Sequence, residues 1–399
     1  MKRTISVLLV LLLVVGAFSG CSALGGSTPA PTASPTASPT AEPTPTPSAS
    51  PTPSPSPTPE MEIEAQGEDY LASGGKLELP VNGATGYASV NLNVRETPSS
   101  EGKSLDVLEP GTAFRILQED GDWWQIETDT VTGWVAHAYC FINLPDVIPS
   151  IVYNCSNASE SLFVSSGKSI PNITGEKLYD AYVYNERLEE EEYVVPVLYA
   201  MAMKICAAQQ AALAEGNTLV IYEGFRPYEA QISVAKNLKS LAEKDAEVYA
   251  GIATEPWSIG WFIATDVSNH QKGYAMDVSL AKVEETETRV TGDYKYSRTT
   301  AYTEYEMPTA MHELSFAAAS LAWPVASASR TAWKETPAAD TMNEAALLLR
   351  TYCTDAGLTP LASEWWHFND LDAAETANQT VNDGNYYLNT VRSSAPEKA

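Results

Sequence analysis

The chain is poor in positive charge. Its 399 residues include 24 Lys and Arg against 51 Asp and Glu, which gives a formal net charge of -27. Nucleic acids and anionic membrane surfaces attract proteins through clustered basic side chains. The composition therefore argues against a nucleic-acid partner and against direct binding to an anionic lipid surface.

Cysteine and histidine are also scarce, with five and four residues respectively. Apart from Cys21, the cysteines follow no zinc-finger spacing, which excludes the usual cysteine-rich zinc sites. Outside the cell they would be able to form disulfides, but the sequence fixes no pairing. The small number of histidines limits any imidazole metal site to four candidates, His137, His270, His312 and His367.

A long apolar run opens the chain. Residues 1–21, "MKRTISVLLVLLLVVGAFSGC", place Lys2 and Arg3 before the run and small residues directly before Cys21. This order predicts a secretory signal rather than a membrane-spanning helix. The end of the segment resembles the bacterial lipoprotein cleavage box, although Phe18 departs from it. The resemblance implies that Cys21 is lipidated and anchors the protein at the extracellular face of the cytoplasmic membrane; the alternative is an ordinary signal peptide.

The segment after Cys21 has almost no large apolar side chains that could form a hydrophobic core. Residues 27–60 contain 12 of the 26 prolines among Ser, Thr and Ala. Such a composition favours an extended chain of ~3.1 Å per residue, roughly 100 Å in all. We therefore predict a disordered tether over residues 22–78, which would let an anchored domain reach into the cell wall.

Residues 88–139 show short alternating runs separated by Gly, Pro and Asp-Gly, a pattern that predicts a small all-β barrel domain over residues 79–142. The segments "LNVRETPS", "EPGTAFRIL", "GDWWQI" and "GWVAHAYC" resemble, in this order, the motifs of the bacterial SH3-like domain of wall enzymes. That resemblance implies binding to wall peptides and draws attention to Trp123, Trp124 and Trp134. At least one of the three is expected in the barrel core.

Residues 143–399 mix helical and strand patterns without a regular βαβ alternation, which predicts an α+β domain with a flexible C-terminal tail. Helices are expected from Pro196 to Gly216, from Pro227 to Gly251, and up to Gly357. "TLVIYEG", "GYAMDVSLAKV" and "SEWWHFND" have the character of strands. The polar segment 282–306 is expected to form a hairpin near the functional site.

The stretch "SNHQKGYAMDVSL" combines a rare histidine with a carboxylate. On a strand from Gly273, Asp277 would share a face with small neighbours, while Met276 and Val278 would face the core. His270, in the preceding loop, would fold over Asp277. A catalytic zinc ion takes three protein ligands and keeps one open position.

The third ligand is expected to be a histidine. His367 is the best candidate, because Glu364 precedes it by three residues and would supply the carboxylate that metal hydrolysis uses. His312 is expected to begin a helix and to face solvent or cap a carbonyl.

These segments together resemble the zinc D-alanyl-D-alanine peptidases, the family of the vancomycin-resistance dipeptidases and carboxypeptidases. "SNHQKGYAMDVSL" is similar to their Ser-x-His-x6-Asp signature, "SEWWHFND" to their Glu-x-x-His element, and "IYEGFRPYEAQ" to their Arg-Pro segment. The resemblance spans roughly residues 143–371. It implies one Zn²⁺ held by His270, Asp277 and His367, with Glu364 as proton shuttle and Arg226 as oxyanion stabiliser.

The resemblance also implies substrate contacts. Ser268 matches the serine that contacts the substrate carboxylate, and Glu306, in "YEMPTAMHELS", stands where an Asp binds the substrate amino group. The double Trp in "EWWHF" slightly favours a dipeptidase for free D-Ala-D-Ala. The wall-facing architecture supports the alternative, a carboxypeptidase acting on peptidoglycan stem peptides. A third possibility is a non-catalytic wall-binding lipoprotein with a structural zinc, but the presence of Glu364 and Arg226 favours an enzyme.

Overall fold

The structure, a computed structural model, describes residues 66–379, 384–388 and 390–398. The predicted signal peptide, Cys21 and the tether up to residue 65 lie outside the described residues. All described residues belong to one compact unit, which spans Glu62–Ala399. Within this part of the chain, no helix combines the length and the apolar character needed to cross a membrane.

Residues 66–78 are packed, although the predicted tether included them. Leu77 and Glu78 are buried, and the Glu68 backbone N–H donates to the Asp293 carbonyl at 2.8 Å. The reason is compositional, since the proline-rich repeat has ended and Tyr70, Leu71 and Leu77 supply apolar surface to bury.

The first region is all-β, as predicted. Alternate strand residues such as Val94, Trp124 and Val135 are fully buried and fill the barrel. Its strands are β1 Thr85–Ala88, β2 Leu92–Arg95, β3 Ser104–Leu108, β4 Ala113–Asp120, β5 Trp123–Glu127, β6 Thr132–Ala136 and β7 Cys140–Asn143.

The second region is α+β, which confirms the predicted class. Its main sheet has, in order, the strands Thr359–Pro360 (β17), His367–Asn369 (β18), Ala275–Thr291 (β15), Asn217–Glu223 (β14) and Val152–Tyr153 (β8), and Tyr294–Glu304 (β16) also pairs with β15. Helices pack on this sheet and bury its apolar residues in one core with the barrel. The strands are β8 Val152–Tyr153, β9 Val164–Ser165, β10 Lys168–Ser169, β11 Tyr182–Asn185, β12 Glu190–Tyr193, β13 Pro196–Leu198, β14 Asn217–Glu223, β15 Ala275–Thr291, β16 Tyr294–Glu304, β17 Thr359–Pro360 and β18 His367–Asn369. The helices are α1 Tyr199–Ala214, α2 Tyr228–Ala242, α3 Ala246–Ala253, α4 Ile259–Phe262, α5 Ala332–Glu335, α6 Glu344–Asp355 and α7 Leu371–Ala377.

Two helix predictions need correction. Pro196 begins strand β13, at the edge of the barrel sheet, rather than the first turn of α1. A sheet edge tolerates proline because no partner there needs its missing N–H. The long helix predicted from Pro227 is divided into α2 and α3, because the Asp245 side chain accepts the Glu247 and Val248 backbone N–H groups and caps a new helix.

The segment 282–306 does form most of a hairpin, β15–β16, and its tip packs against residues from both ends of the described chain. Tyr294 contacts Tyr70, and the backbone of Pro396 lies against Gly292. The nearby C-terminal residues, predicted as a flexible tail, are held by contacts with the barrel: Tyr87 donates its hydroxyl proton to the Thr390 carbonyl at 2.6 Å.

The four cysteines for which the sequence left disulfide formation open are unpaired in the structure. Cys140, Cys155, Cys206 and Cys353 are all free and buried.

Candidate metal centre and active site

Asp277 and His367 are neighbours across two strands. Asp277 on β15 lies directly opposite His367 on β18 in the antiparallel register, so both side chains project from the same face of the sheet. The Asp277 Oδ1 atom is 3.0 Å from His367 Nδ1. All residues from Ala275 to Ala281 are buried, so helices and loops cover both faces of this strand, not one face as expected.

His270 reaches the same place from the turn that precedes β15. Its Nδ1 atom lies 2.7 Å from the Gly224 carbonyl oxygen, which can only accept, so this nitrogen carries the proton. Nε2 therefore points at the other two side chains. It lies 3.2 Å from His367 Nδ1 and 3.4 Å from Asp277 Oδ1.

The three atoms have the spacing of ligands around one small cation. Zinc bonds of about 2.0 to 2.1 Å in a tetrahedron hold neighbouring ligand atoms about 3.3 Å apart. The observed separations are 3.0, 3.2 and 3.4 Å. We call His270, Asp277 and His367 the ligand trio.

With both imidazoles neutral, no proton lies between the three facing atoms of the ligand trio. The His367 Nε2 atom is 3.1 Å from Asn369 Oδ1, and that oxygen also accepts from the Asn269 amide, so the His367 proton belongs on Nε2. His270 Nε2, His367 Nδ1 and Asp277 Oδ1 are then three acceptors that face one another in a buried space. Such an arrangement is stable with a cation between the atoms, which is the fit expected of a metal site.

Glu364 lies beside the trio. Its carboxylate is 3.6 Å from His367 Nδ1, and its side chain is 9% exposed. Burial raises the pKa of Glu364 to about 8, although the His367 imidazole opposes this shift. A carboxyl group that gains and loses a proton close to neutral pH suits proton transfer in hydrolysis.

Arg226 is buried beneath Asp277 and is already heavily engaged. Its guanidinium bonds twice to Glu223, once to Gln231 and, at 3.1 Å, to Asp277 Oδ2. Three of these contacts are hydrogen bonds, one from each guanidinium nitrogen, so the second N–H on Nη1 can donate to a substrate oxygen.

A cavity of about 220 Å³ opens on the ligand trio, Glu364 and Arg226. Ser268 also lines this cavity, and its hydroxyl accepts the His270 backbone N–H at 3.3 Å. Glu306 is separate from this group: its side chain is exposed, it lies outside the cavity lining, and its carbonyl accepts from Asn343. The structure thus brings together every predicted site residue of the peptidase region except Glu306.

His312 does not take the solvent-facing position that the sequence predicted for it. It is fully buried, adopts a positive φ of 61° and lies 3.2 Å from Asp277 Oδ2 through Nε2. Its Nδ1 atom has no hydrogen-bond partner among the described residues, so the proton belongs on Nε2, which donates to Asp277. With Glu223 it forms a second cluster around Asp277, but the Arg226 guanidinium already supplies positive charge to both carboxylates.

The barrel tryptophans take different positions. Trp124 is fully buried in the core, as expected of at least one of them. Trp123 lines a groove of about 300 Å³ together with Arg95 and Tyr139.

Comparison with known protein families decides the affiliation. A family model described as D-Ala-D-Ala dipeptidase, peptidase M15, matches residues 187–386, which is half of the chain. The chain belongs to this M15 peptidase family. The matched range contains the ligand trio, Glu364 and Arg226. A second model, bacterial SH3 domain, matches residues 90–140, within the barrel. The resemblances to the D-alanyl-D-alanine peptidases and to the bacterial SH3-like domain are thereby confirmed. No curated protein matches the chain.

Proposed function

We propose that this M15 peptidase binds one Zn²⁺ in the ligand trio and hydrolyses D-alanyl-D-alanine bonds. The observation that carries the proposal is the convergence of three buried acceptor atoms, at zinc-ligand spacing, on a cavity that also contains a carboxylate. Two imidazoles and one carboxylate are a donor set that suits zinc.

The trio favours a catalytic over a structural ion. Structural zinc sites are closed by four protein ligands, whereas catalytic sites have three and keep a position open. His270, Asp277 and His367 all line the cavity, so the open position would face a substrate. A bound zinc ion would lower the pKa of a water molecule and polarise the scissile carbonyl.

The chain's own residues would then divide the remaining work. Glu364, which lines the cavity beside His367, accepts a proton from the attacking water and returns it to the leaving amine. The remaining Arg226 N–H donates to the oxygen that gains negative charge. Ser268, which lines the cavity wall, donates its hydroxyl proton to the substrate carboxylate.

The geometry favours the carboxypeptidase reaction on stem peptides. The two carboxylates that line the cavity, in the part of the chain that the structure describes, are Asp277 and Glu364, and both already have roles. Glu306, the residue expected to bind a free amino group, lies elsewhere. A peptide whose D-Ala nitrogen is acylated needs no such counter-charge. The description of the matching family favours the second candidate, a dipeptidase for free D-Ala-D-Ala.

A substrate panel tests the proposal. Purified protein is stripped of metal by a chelator, resupplied with Zn²⁺, and assayed on free D-Ala-D-Ala and on an N-acylated peptide that ends in D-Ala-D-Ala. We expect D-Ala release from the acylated peptide only with zinc. Full activity in the metal-free protein would overturn the zinc assignment. Faster hydrolysis of the free dipeptide would instead establish the dipeptidase.

We also propose that Cys21 carries a lipid anchor, which would place the peptidase at the outer face of the cytoplasmic membrane, within reach of peptidoglycan. The residues that support it are the small pair before Cys21 and the proline-rich segment after it. Metabolic labelling with a radioactive fatty acid should mark the wild type and leave Cys21→Ala unlabelled. Equal labelling of both would remove Cys21 as the attachment site.

A further inference from the structure

The barrel and the peptidase region share a sheet. Strand β7, the last of the barrel, pairs with β1 on one side and with β13 on the other. In this second pairing Phe141 is opposite Leu198. Because β13 leads directly into α1, the barrel wall continues into the peptidase region without a linker.

The three metal ligands are not equally supported. Asp277 and His367 belong to paired strands, whose backbone hydrogen bonds fix their positions. His270 comes from a turn outside the sheet. A ligand on a turn depends on what packs against that turn.

The shared edge contacts the turn that carries His270. The Gly273 backbone N–H donates to the His270 carbonyl at 3.1 Å, and the Gly273 carbonyl accepts from the Leu198 N–H at 2.8 Å. Gly273 has a positive φ of 73°, and a Cβ added to it would lie 2.2 Å from the Phe141 ring. The Phe141 ring therefore lies directly against the turn.

The same edge also supports the atom that orients the His270 ring. The Gly224 carbonyl fixes His270 Nδ1, and a Cβ on Gly224 would lie 3.0 Å from the Pro196 carbonyl oxygen. The next residue, Phe225, donates its N–H to that Pro196 oxygen at 3.1 Å, and its ring packs against Phe141 with centroids 5.9 Å apart. Both supports of His270 thus converge on β13 and Phe141.

We propose that Phe141 of the SH3-like barrel is a positioning residue for the metal ligand His270, so that the barrel forms part of the frame of the active site. This inference rests on the proposed zinc site. A smaller side chain at 141 would leave space beneath Gly273, and the turn would move away from the position in which Nε2 faces Asp277. Residues that orient metal ligands typically change metal affinity by about 10- to 100-fold when altered.

The test compares two buried barrel phenylalanines in the full-length chain. Phe141→Leu removes the ring beneath the turn, whereas Phe114→Leu makes the same change in β4, where the ring packs on Gly86. The readouts are the Kd for Zn²⁺ from competition with a chromophoric chelator and the visible spectrum of bound Co²⁺. Thermal unfolding measures the stability loss of each variant. If Phe141→Leu fails to fold, Phe141→Met, closer in volume, takes its place.

We expect Phe141→Leu to weaken zinc binding about 10-fold and to change the Co²⁺ spectrum. Phe114→Leu should lose comparable stability with a Kd within about 2-fold of the wild type, as expected of a residue remote from the ligands. Equal zinc affinity in the two variants would overturn the inference. A wild-type chain that binds no metal would instead overturn the zinc proposal itself, so the two failures are distinguishable.

Discussion

Asp146 and Asp277 are both buried carboxylates, and their surroundings differ in kind. Asp146 is surrounded by donors: the Thr85 N–H at 2.8 Å and the side-chain amides of Asn143 and Asn185 at 3.1 and 2.6 Å. The described residues that donate to Asp277, Arg226 and His312, do so on Oδ2, while Oδ1 faces ring nitrogens of His270 and His367.

The comparison shows how a structural carboxylate differs from a ligand. Burial raises the pKa of Asp146, and the nearby Arg187 and its hydrogen bonds only partly oppose this. Burial raises the pKa of Asp277 too, yet that pKa is held well below the usual range. The Arg226 guanidinium and the His312 N–H, which both donate to Oδ2, favour the anion. Asp277 therefore remains an anion, as a metal ligand must.

The largest expected effect is that of removing the anionic ligand. Asp277→Asn should weaken zinc binding by more than about 100-fold and abolish turnover. A loss of about 100-fold is the upper limit seen for residues that only hydrogen-bond to a metal ligand, and Asp277 is itself a ligand. Equilibrium dialysis and the D-Ala release assay measure these losses. The matched variant Asp146→Asn should bind zinc normally. Equal zinc affinity in the Asp277→Asn and Asp146→Asn variants would show that Asp277 is not a metal ligand.

Glu364→Gln should lower turnover by about 10³-fold, because the amide cannot take a proton from water. Zinc affinity should change little, since the ligand trio is intact. Steady-state kinetics and metal analysis of the same preparation separate the two properties. Turnover at the wild-type rate would remove Glu364 from the mechanism.

Asp146→Asn should lower the free energy of unfolding by about 2 kcal/mol, because an amide N–H₂ would replace one of the oxygens that accept from the surrounding donors. Urea denaturation of the full chain measures this change. An unchanged unfolding midpoint would show that the donors around Asp146 do not need its charge.

The smallest expected effect concerns His312. His312→Ala removes the donor to Asp277 Oδ2 but leaves Arg226 in place, so zinc affinity should fall only about 10-fold. Competition titration measures the change, with His137→Ala, on the barrel, as the control. A Kd equal to that of the control would confine His312 to a packing role.

The sequence predicted that His270, Asp277 and His367 would lie together, as they do in the structure, because the two segments that carry them are each recognisable on their own. A rare histidine before an alternating strand, and a Glu-x-x-His segment, are visible as letters and resemble one family. His312 had no comparable signal. It occupies a left-handed backbone conformation that non-glycine residues seldom adopt, and only tertiary packing brings it to Asp277.

The sequence also did not predict the strand pairing that connects the barrel to the peptidase region. The composition changes after residue 142, which suggested two domains there, whereas β7 and β13 pair across some fifty intervening residues. Pro196 is equally compatible with a first helical turn and with an edge strand, and only the non-local pairing decides between them.

The most direct test is crystallography of the zinc-loaded chain with data collected on both sides of the zinc absorption edge. We predict a single anomalous peak within about 2.0 to 2.2 Å of His270 Nε2, Asp277 Oδ1 and His367 Nδ1, beside Glu364. A zinc-loaded crystal with no peak between those three atoms, or with the ion held elsewhere, would contradict the account.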